Sequence, residues 1–163
     1  MAAKKPIKKK FPYKAALVAC SGCRDNQGDP CSFGCIGCGA CVDKCKFGAI
    51  SIGESGAAEV DEEKCIACGA CVRVCPQNII HVHECANHII VKCSNHDKGA
   101  AARKECGVSC IGCGICAKNC PTDAIQVEDN CAVIDEQYCL SCGMCLTKCP
   151  RHVIHDTQGV LIY

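Results

Sequence analysis

The stretch Cys35-Ile36-Gly37-Cys38-Gly39-Ala40-Cys41-Val42-Asp43-Lys44-Cys45 decides how this chain is read, because its spacing returns three times. Cys65/Cys68/Cys71/Cys75, Cys110/Cys113/Cys116/Cys120 and Cys139/Cys142/Cys145/Cys149 repeat the pattern Cys-x2-Cys-x2-Cys-x3-Cys. Three thiolates set three residues apart can wrap one corner of a four-iron, four-sulfur cube in a tight loop. The fourth, four residues further on, leaves the loop and points towards a neighbouring cube. Pro76, Pro121 and Pro150 follow the last cysteine of three motifs, and proline there suits the first turn of a helix.

Two other uses of so many thiols fit less well. The 23 cysteines are odd in number, strictly spaced and preceded by no secretory signal, which argues against a disulfide scaffold. Zinc sites pair two Cys-x2-Cys knuckles separated by about a dozen residues or more, whereas here four thiols are packed into eleven residues.

Composition sets the rest of the frame. The 163 residues include no Trp, three Phe, three Tyr and two Met, so Val, Ile, Ala and Cys must cover the core. Units of about seventy residues with so little bulk need a staple, and the clusters would supply it. Metal binding and folding are then expected to be one event. Six lysines and no acid lie in residues 1–14, whereas 12 basic and 17 acidic residues follow, a net −5. Sixteen thiolates on four oxidised cubes add roughly −8 to that body. Such a body suits the basic patches of redox partners, not nucleic acid.

No segment approaches the roughly 18 apolar residues that cross a bilayer. Leu17-Val18-Ala19-Cys20 mimics a lipoprotein cleavage box, but apolar Ala15–Ala19 falls short of the ~7–15 residues of a signal core. A soluble chain in a reducing, oxygen-poor cytoplasm is expected, free or peripheral on a membrane complex.

The chain is a duplication of a duplication. Cys35-Ile-Gly-Cys-Gly-Ala-Cys41 returns as Cys110-Ile-Gly-Cys-Gly-Ile-Cys116, and Val60-Asp61-Glu62 as Ile134-Asp135-Glu136. Upstream, Val18-Ala19-Cys20-Ser21 matches Val91-Lys92-Cys93-Ser94, and Cys31-x3-Cys35 matches Cys106-x3-Cys110. Ala16–Ala19 therefore reads as a strand, like Ile89–Lys92. Further strands are expected at Ala49–Ile52, Ala58–Asp61, Ile79–Val82, Ile125–Glu128, Ala132–Asp135, Val153–His155 and Val160–Tyr163. Asp43–Phe47, Val72–Pro76, Ala117–Pro121 and Leu146–Pro150 read as turns entering small helices, and Lys98–Glu105 as a helix joining the halves. The expected fold class is α+β, with a Lys-rich tail at 1–14 and two-cluster units at 15–84 and 85–163.

Cys65-Ile-Ala-Cys-Gly-Ala-Cys-Val-Arg-Val-Cys-Pro76 and its companions resemble a bacterial two-cluster [4Fe-4S] ferredoxin, twice over. With Val91-Lys92-Cys93-Ser94-Asn95-His96-Asp97-Lys98-Gly99 leading into Cys106–Cys116, residues 16–163 are similar to the ferredoxin-like region of the Rnf complex B subunit. Cys45-Lys46 departs from the usual Cys-Pro, and that subunit's membrane anchor and extra cluster domain have no counterpart here. The resemblance implies four [4Fe-4S] clusters with crossed ligands. Cluster I would take Cys35, Cys38, Cys41 and Cys75, and cluster II Cys65, Cys68, Cys71 and Cys45. Cluster III would take Cys110, Cys113, Cys116 and Cys149, and cluster IV Cys139, Cys142, Cys145 and Cys120. Gly39, Gly69, Gly114 and Gly143 follow the second thiolate, where a residue without Cβ lets backbone N–H groups close on sulfur.

Seven cysteines remain. Cys23, Cys85 and Cys131 have no counterpart in the other half and read as small buried hydrophobes. Cys20/Cys93 and Cys31/Cys106 recur; they could be packing, reserve ligands, donors to cluster sulfur, or a fifth metal centre. His81, His83, His88 and His96 lie near Cys85 and Cys93, but alternation on strands accounts for them more simply than zinc does. No nucleophile–base pair, phosphate loop or nucleotide fingerprint is present, so no catalytic residue is assigned. The expected function is single-electron relay at low potential between redox proteins: an oxidoreductase, a ferredoxin or a flavoprotein. The alternative is a redox-sensing iron–sulfur interaction protein.

Overall fold

Short β-branched runs form four two-stranded antiparallel sheets in the computed structural model, which describes residues 11–22 and 31–161. Most of the Lys-rich tail, together with Cys23, lies outside the described residues. Strand β1 (Lys14–Val18) pairs with β4 (Ile80–Glu84), and β2 (Ile50–Ile52) with β3 (Ala58–Val60). In the second half β5 (Ile89–Val91) pairs with β8 (Ile154–Asp156), and β6 (Ile125–Glu128) with β7 (Cys131–Ile134). Each half thus has an outer sheet built from its first and last strands and an inner hairpin between its two motifs. The apolar face of each sheet packs on cysteine sulfur: one core gathers Ile50, Ile79 and Ile80 around Cys41, Cys65 and Cys71. The other gathers Ile89, Ile125, Val153 and Ile154 around Cys110, Cys116, Cys145 and Cys149.

The helices differ from expectation. α1 (Ala40–Lys44), a 3₁₀ turn at Val72–Val74, α3 (Ile115–Lys118) and α4 (Met144–Lys148) lie inside the motifs and stop before the fourth cysteine. The expected Asp43–Phe47, Val72–Pro76, Ala117–Pro121 and Leu146–Pro150 are therefore displaced towards the C-terminus of these elements. Proline disfavours the α conformation in the residue before it and so suits this end, but it does not cause it. Cys45, followed by Lys46, is as extended (ψ 101) as Cys75 and Cys149 (ψ 116 and 112), so the turn that follows the fourth cysteine ends the helix. Pro76, Pro121 and Pro150 open a tight turn in which Asn78, Asp123 and His152, all at positive φ, donate N–H to the carbonyl of the last cysteine. Gly48 closes the same turn after Cys45-Lys46 without proline, so the missing proline leaves the backbone path unchanged.

α2 (Gly99–Glu105) falls within one residue of the expected span but lies inside the second half, between β5 and the third motif, not between the halves. Val160 and Leu161 form no strand; the Leu161 N–H instead reaches Asp156 Oδ2 at 2.8 Å.

The repeated Val/Ile-Asp-Glu segment has a clear task. Asp61 and Asp135 close the inner hairpins through N–H bonds to Ala49 and Ala124 carbonyls. Their carboxylates then accept from Glu63 and Gln137 N–H, turning the chain into the next motif. The repeated Cys-Ser joins the halves: Ser21 Oγ donates to the Lys92 carbonyl at 3.0 Å and lies 3.0 Å from His155 Nε2. Reciprocally, Ser94 Oγ donates to the Phe33 carbonyl at 2.7 Å.

Candidate metal centres

Four small concavities lie among the motifs, and each is lined by four cysteines drawn from two motifs. One holds Cys35, Cys38, Cys41 and Cys75; its neighbour holds Cys65, Cys68, Cys71 and Cys45. In the second half the sets are Cys110, Cys113, Cys116 with Cys149, and Cys139, Cys142, Cys145 with Cys120. Apolar side chains close the walls, among them Ile36, Ile52 and Ile79 in the first and Val127, Val153 and Ile154 in the third. Four sulfur donors around an apolar hollow match the softness of iron–sulfur ligation. Among the described residues no three Cys, His, Asp or Glu side chains converge on a single ion.

Every motif orients its cysteines alike. The second one (Cys38, Cys68, Cys113, Cys142) is exposed, and the third (Cys41, Cys71, Cys116, Cys145) is buried. Burial pushes all four third thiols up, Cys145 to about 12, so as free thiols they stay protonated at neutral pH. Gly39, Gly69, Gly114 and Gly143 adopt left-handed φ of 68–74°. A Cβ at Gly39 or Gly114 would meet nothing within 4 Å, so conformation, not crowding, selects glycine there. The residue before the second cysteine is also left-handed in every motif: Gly37, Ala67, Gly112 and Ser141. Only at Gly37 and Gly112 does a hairpin backbone press close, with Gly56 O and Asn130 O at 3.1 and 2.9 Å from a built Cβ. The leading motif of each half therefore needs glycine, and the trailing one accepts Ala or Ser.

Backbone N–H groups converge on the sulfurs. Ala16 and Ala67 donate to Cys65 at 3.3 and 3.5 Å, Ala49 to Cys45 at 3.4 Å, and Ala58 to Cys35 at 3.4 Å. In the second half Ser141 donates to Cys139 at 3.4 Å, and Gly112 and Ala132 donate to Cys110.

Among the described residues, the remaining cysteines line none of these cavities. Cys20 Sγ accepts from the Cys35 N–H at 3.4 Å, and Cys93 Sγ from the Cys110 N–H at 3.2 Å, which accounts for their recurrence. Cys31 and Cys106 are buried, and the Cys106 carbonyl is held by Arg151 at 3.0 Å. Cys85 is half-buried against the first core, and Cys131 is buried in the second. The Cys131 thiol is held protonated, its hydrogen bonds with Cys110 and Cys93 adding to burial; the same bonds lower Cys93 and Cys110 to about 6. The histidines do not assemble. His88 Nδ1 pairs with Asp156 Oδ1 at 2.8 Å, His96 reaches the Asp129 carbonyl, and buried His83 has Glu62 Oε1 at 3.7 Å.

The fold and its sulfur-lined cavities define an iron–sulfur electron-transfer protein of the two-cluster ferredoxin type. The 4Fe-4S dicluster domain family matches residues 34–79 and 109–153, together more than half of the chain, and the chain belongs to it. A second description of the same name matches residues 64–124, across the junction of the halves. Two such units carry four [4Fe-4S] clusters. Among curated proteins the chain is 46% identical over 122 residues to the B subunit of the Na(+)-translocating ferredoxin:NAD(+) oxidoreductase complex of Acetobacterium woodii, covering 75% of this chain and 35% of that one. The proton-translocating counterpart from Clostridium ljungdahlii is 44% identical, covering 78% and 45%. The B subunit of the ion-translocating oxidoreductase complex of Methanosarcina acetivorans is 39% identical, covering 76% and 45%. The chain spans less than half the length of each of these relatives. Among the described residues no helix is long and apolar enough to cross a membrane.

Proposed function

We propose that the four cysteine sets lining the cavities are the cluster ligands, in the crossed pattern given above, and that the chain relays single electrons at low potential without a substrate site of its own. The observation that carries this is the three-plus-one composition of every cavity, with one exposed and one buried corner. Bound there, the clusters supply one-electron chemistry; the protein supplies sulfur, N–H donors and an apolar wall. The exposed second cysteines give each site a face where an electron enters or leaves. Residues 15–84 and 85–163 serve as the two paired units, and the three B-subunit relatives point to work inside an ion-translocating oxidoreductase complex in a reducing cytoplasm. The excess of acid beyond the Lys-rich tail suits basic patches on an oxidoreductase, ferredoxin or flavoprotein partner.

Anaerobic iron and acid-labile sulfide analysis, followed by a reductive titration, tests the proposal. The expected result is about 16 iron and 16 sulfide per chain, reduced in four one-electron steps with no substrate consumed. A content near eight would leave one half unloaded and overturn the four-site relay. Partner release on air exposure, with no electron delivered to any reductase, would overturn it in favour of redox sensing.

A further inference from the structure

Two of the contacts between the halves mirror each other. Ser21 Oγ donates to the Lys92 carbonyl at 3.0 Å, and Ser94 Oγ donates to the Phe33 carbonyl at 2.7 Å. Each serine follows a cysteine whose sulfur accepts the N–H of the first motif thiol of its own half. Cys20 accepts from Cys35 at 3.4 Å, and Cys93 from Cys110 at 3.2 Å. The acceptors of the two hydroxyls also lie beside the leading motifs: Lys92 precedes Cys93, and Phe33 stands two residues before Cys35. Ser21 further lies 3.0 Å from His155 Nε2, and His155 follows Ile154, which lines the Cys110 cavity.

The strands explain why the leading sites meet at this seam. β1 runs from Ala16, which lines the Cys65 cavity, to Val18, which lines the Cys35 cavity, and Cys20-Ser21 follows. β5 begins at Ile89, which lines the Cys139 cavity, and ends just before Cys93-Ser94. Both strands therefore lead away from the trailing site of their half, and the paired serines close the seam between the two leading sites. Electron transfer falls off exponentially with the gap, so a fold directs it by fixing which sites face each other. We propose that electrons cross between the halves at the leading sites, that of Cys35, Cys38, Cys41 and Cys75 and that of Cys110, Cys113, Cys116 and Cys149, with Ser21 and Ser94 as positioning residues. The crossing oxidises one site by one electron and reduces the other by one, and no proton or bond changes place. The trailing sites are then the two ends of the relay. This inference rests on the ligand assignment proposed above.

The test loads the full chain anaerobically, delivers a single electron in a pulse, and follows its passage between the halves by rapid-freeze electron paramagnetic resonance. Iron and sulfide content and the four potentials check the ligand reading separately. With both unchanged, Ser21→Ala combined with Ser94→Ala is expected to slow the crossing several-fold. The same pair should weaken magnetic coupling between the halves in the fully reduced chain. Ser21→Thr with Ser94→Thr keeps both hydroxyls and should behave as the wild type. Glu136→Ala removes a different contact between the halves, the carboxylate that accepts the Glu84 N–H at 3.2 Å, and should alter neither readout. If the alanine pair fails to load, each single alanine variant is read in its place, with slowing again expected. An unslowed crossing, or equal slowing by Glu136→Ala, would overturn the proposal. So would loss of iron from the pair and from both single variants, which would make the hydroxyls supports of the cluster loops.

Discussion

The two halves of the molecule share ligand spacing, left-handed turns and strand order, yet they are held together differently around that frame. The first half has the longer outer sheet, five residue pairs between β1 and β4 against three between β5 and β8. The second half has the tighter inner hairpin, turned by Asp129 and Asn130 at positive φ, where the first uses the looser Gly53–Gly56 turn. It also has a clamp: Arg151 donates from Nε to the Ser109 carbonyl at 3.2 Å and from a terminal nitrogen to the Cys106 carbonyl at 3.0 Å. Gln77 stands at that place in the first half. The sixteen motif cysteines keep one spacing in both halves, whereas the surrounding shell pairs a short sheet with a clamp in one half and a loose hairpin with a longer sheet in the other.

The largest test removes what the halves have in common. Chelating iron under anaerobic, reducing conditions should abolish cooperative thermal unfolding in both halves, since structural metal binding in small domains is worth ~10 kcal/mol or more. Near-ultraviolet circular dichroism and amide exchange would report it. A half that kept its protected amides without iron would break the equivalence. Next, Arg151→Ala strips two buried carbonyls of a charged donor and should destabilise the second half by about 2 kcal/mol, against less than about 0.5 for Gln77→Ala. Denaturant melts of the loaded chain measure the contrast, and equal effects would remove the clamp from the account.

A smaller effect is expected where the halves meet. Ser21→Ala and Ser94→Ala should each cost about 1 kcal/mol and raise amide exchange on the facing half, around Lys92 and Phe33 respectively. Exchange confined to the mutated half would mean that the hydroxyls do not couple them. The smallest effect belongs to pH and to the second half alone. Burial works against the Asp156 carboxylate, but Leu161 and Gln158 N–H groups and His88 outweigh it and bring its pKa down to about 2. A carboxylate depressed on folding stabilises fully above its unfolded value of about 3.9 and loses that contribution as pH falls towards 2. Between those values β8 should loosen before β4, and Asp156→Asn should flatten the difference in pH-resolved amide exchange.

The motifs are legible in the sequence because ligand spacing is local: the cavities gather the very sets that crossed ligation implies, and the doubled Val/Ile-Asp-Glu segment marks the turns. Helix positions are less legible, because the chain turns after the fourth cysteine with or without proline, and the helix lies before that cysteine, not after it. Cys131 carries no mark of its own, since it lacks a counterpart in the first half. Nothing within a few residues of it says that the hairpin will set it against Cys93 and Cys110, which lie 38 and 21 residues earlier in the chain. The roles of Cys20 and Cys93 are equally non-local, since each accepts from an N–H more than a dozen residues ahead. Recurrence flags those two; asymmetry hides the third.

Copies made by duplication often remain interchangeable, like beads on a thread. Here the hydroxyl of Ser21 bonds the Lys92 carbonyl and lies beside His155 of the later copy, while that of Ser94 bonds the Phe33 carbonyl of the earlier one. A chimera assembled from two first copies would keep the sixteen motif thiols but put Ala57 where Cys131 stands and Gln77 where Arg151 stands, losing the shell that the later copy supplies. The ancestral repeat has become a matched left and right hand.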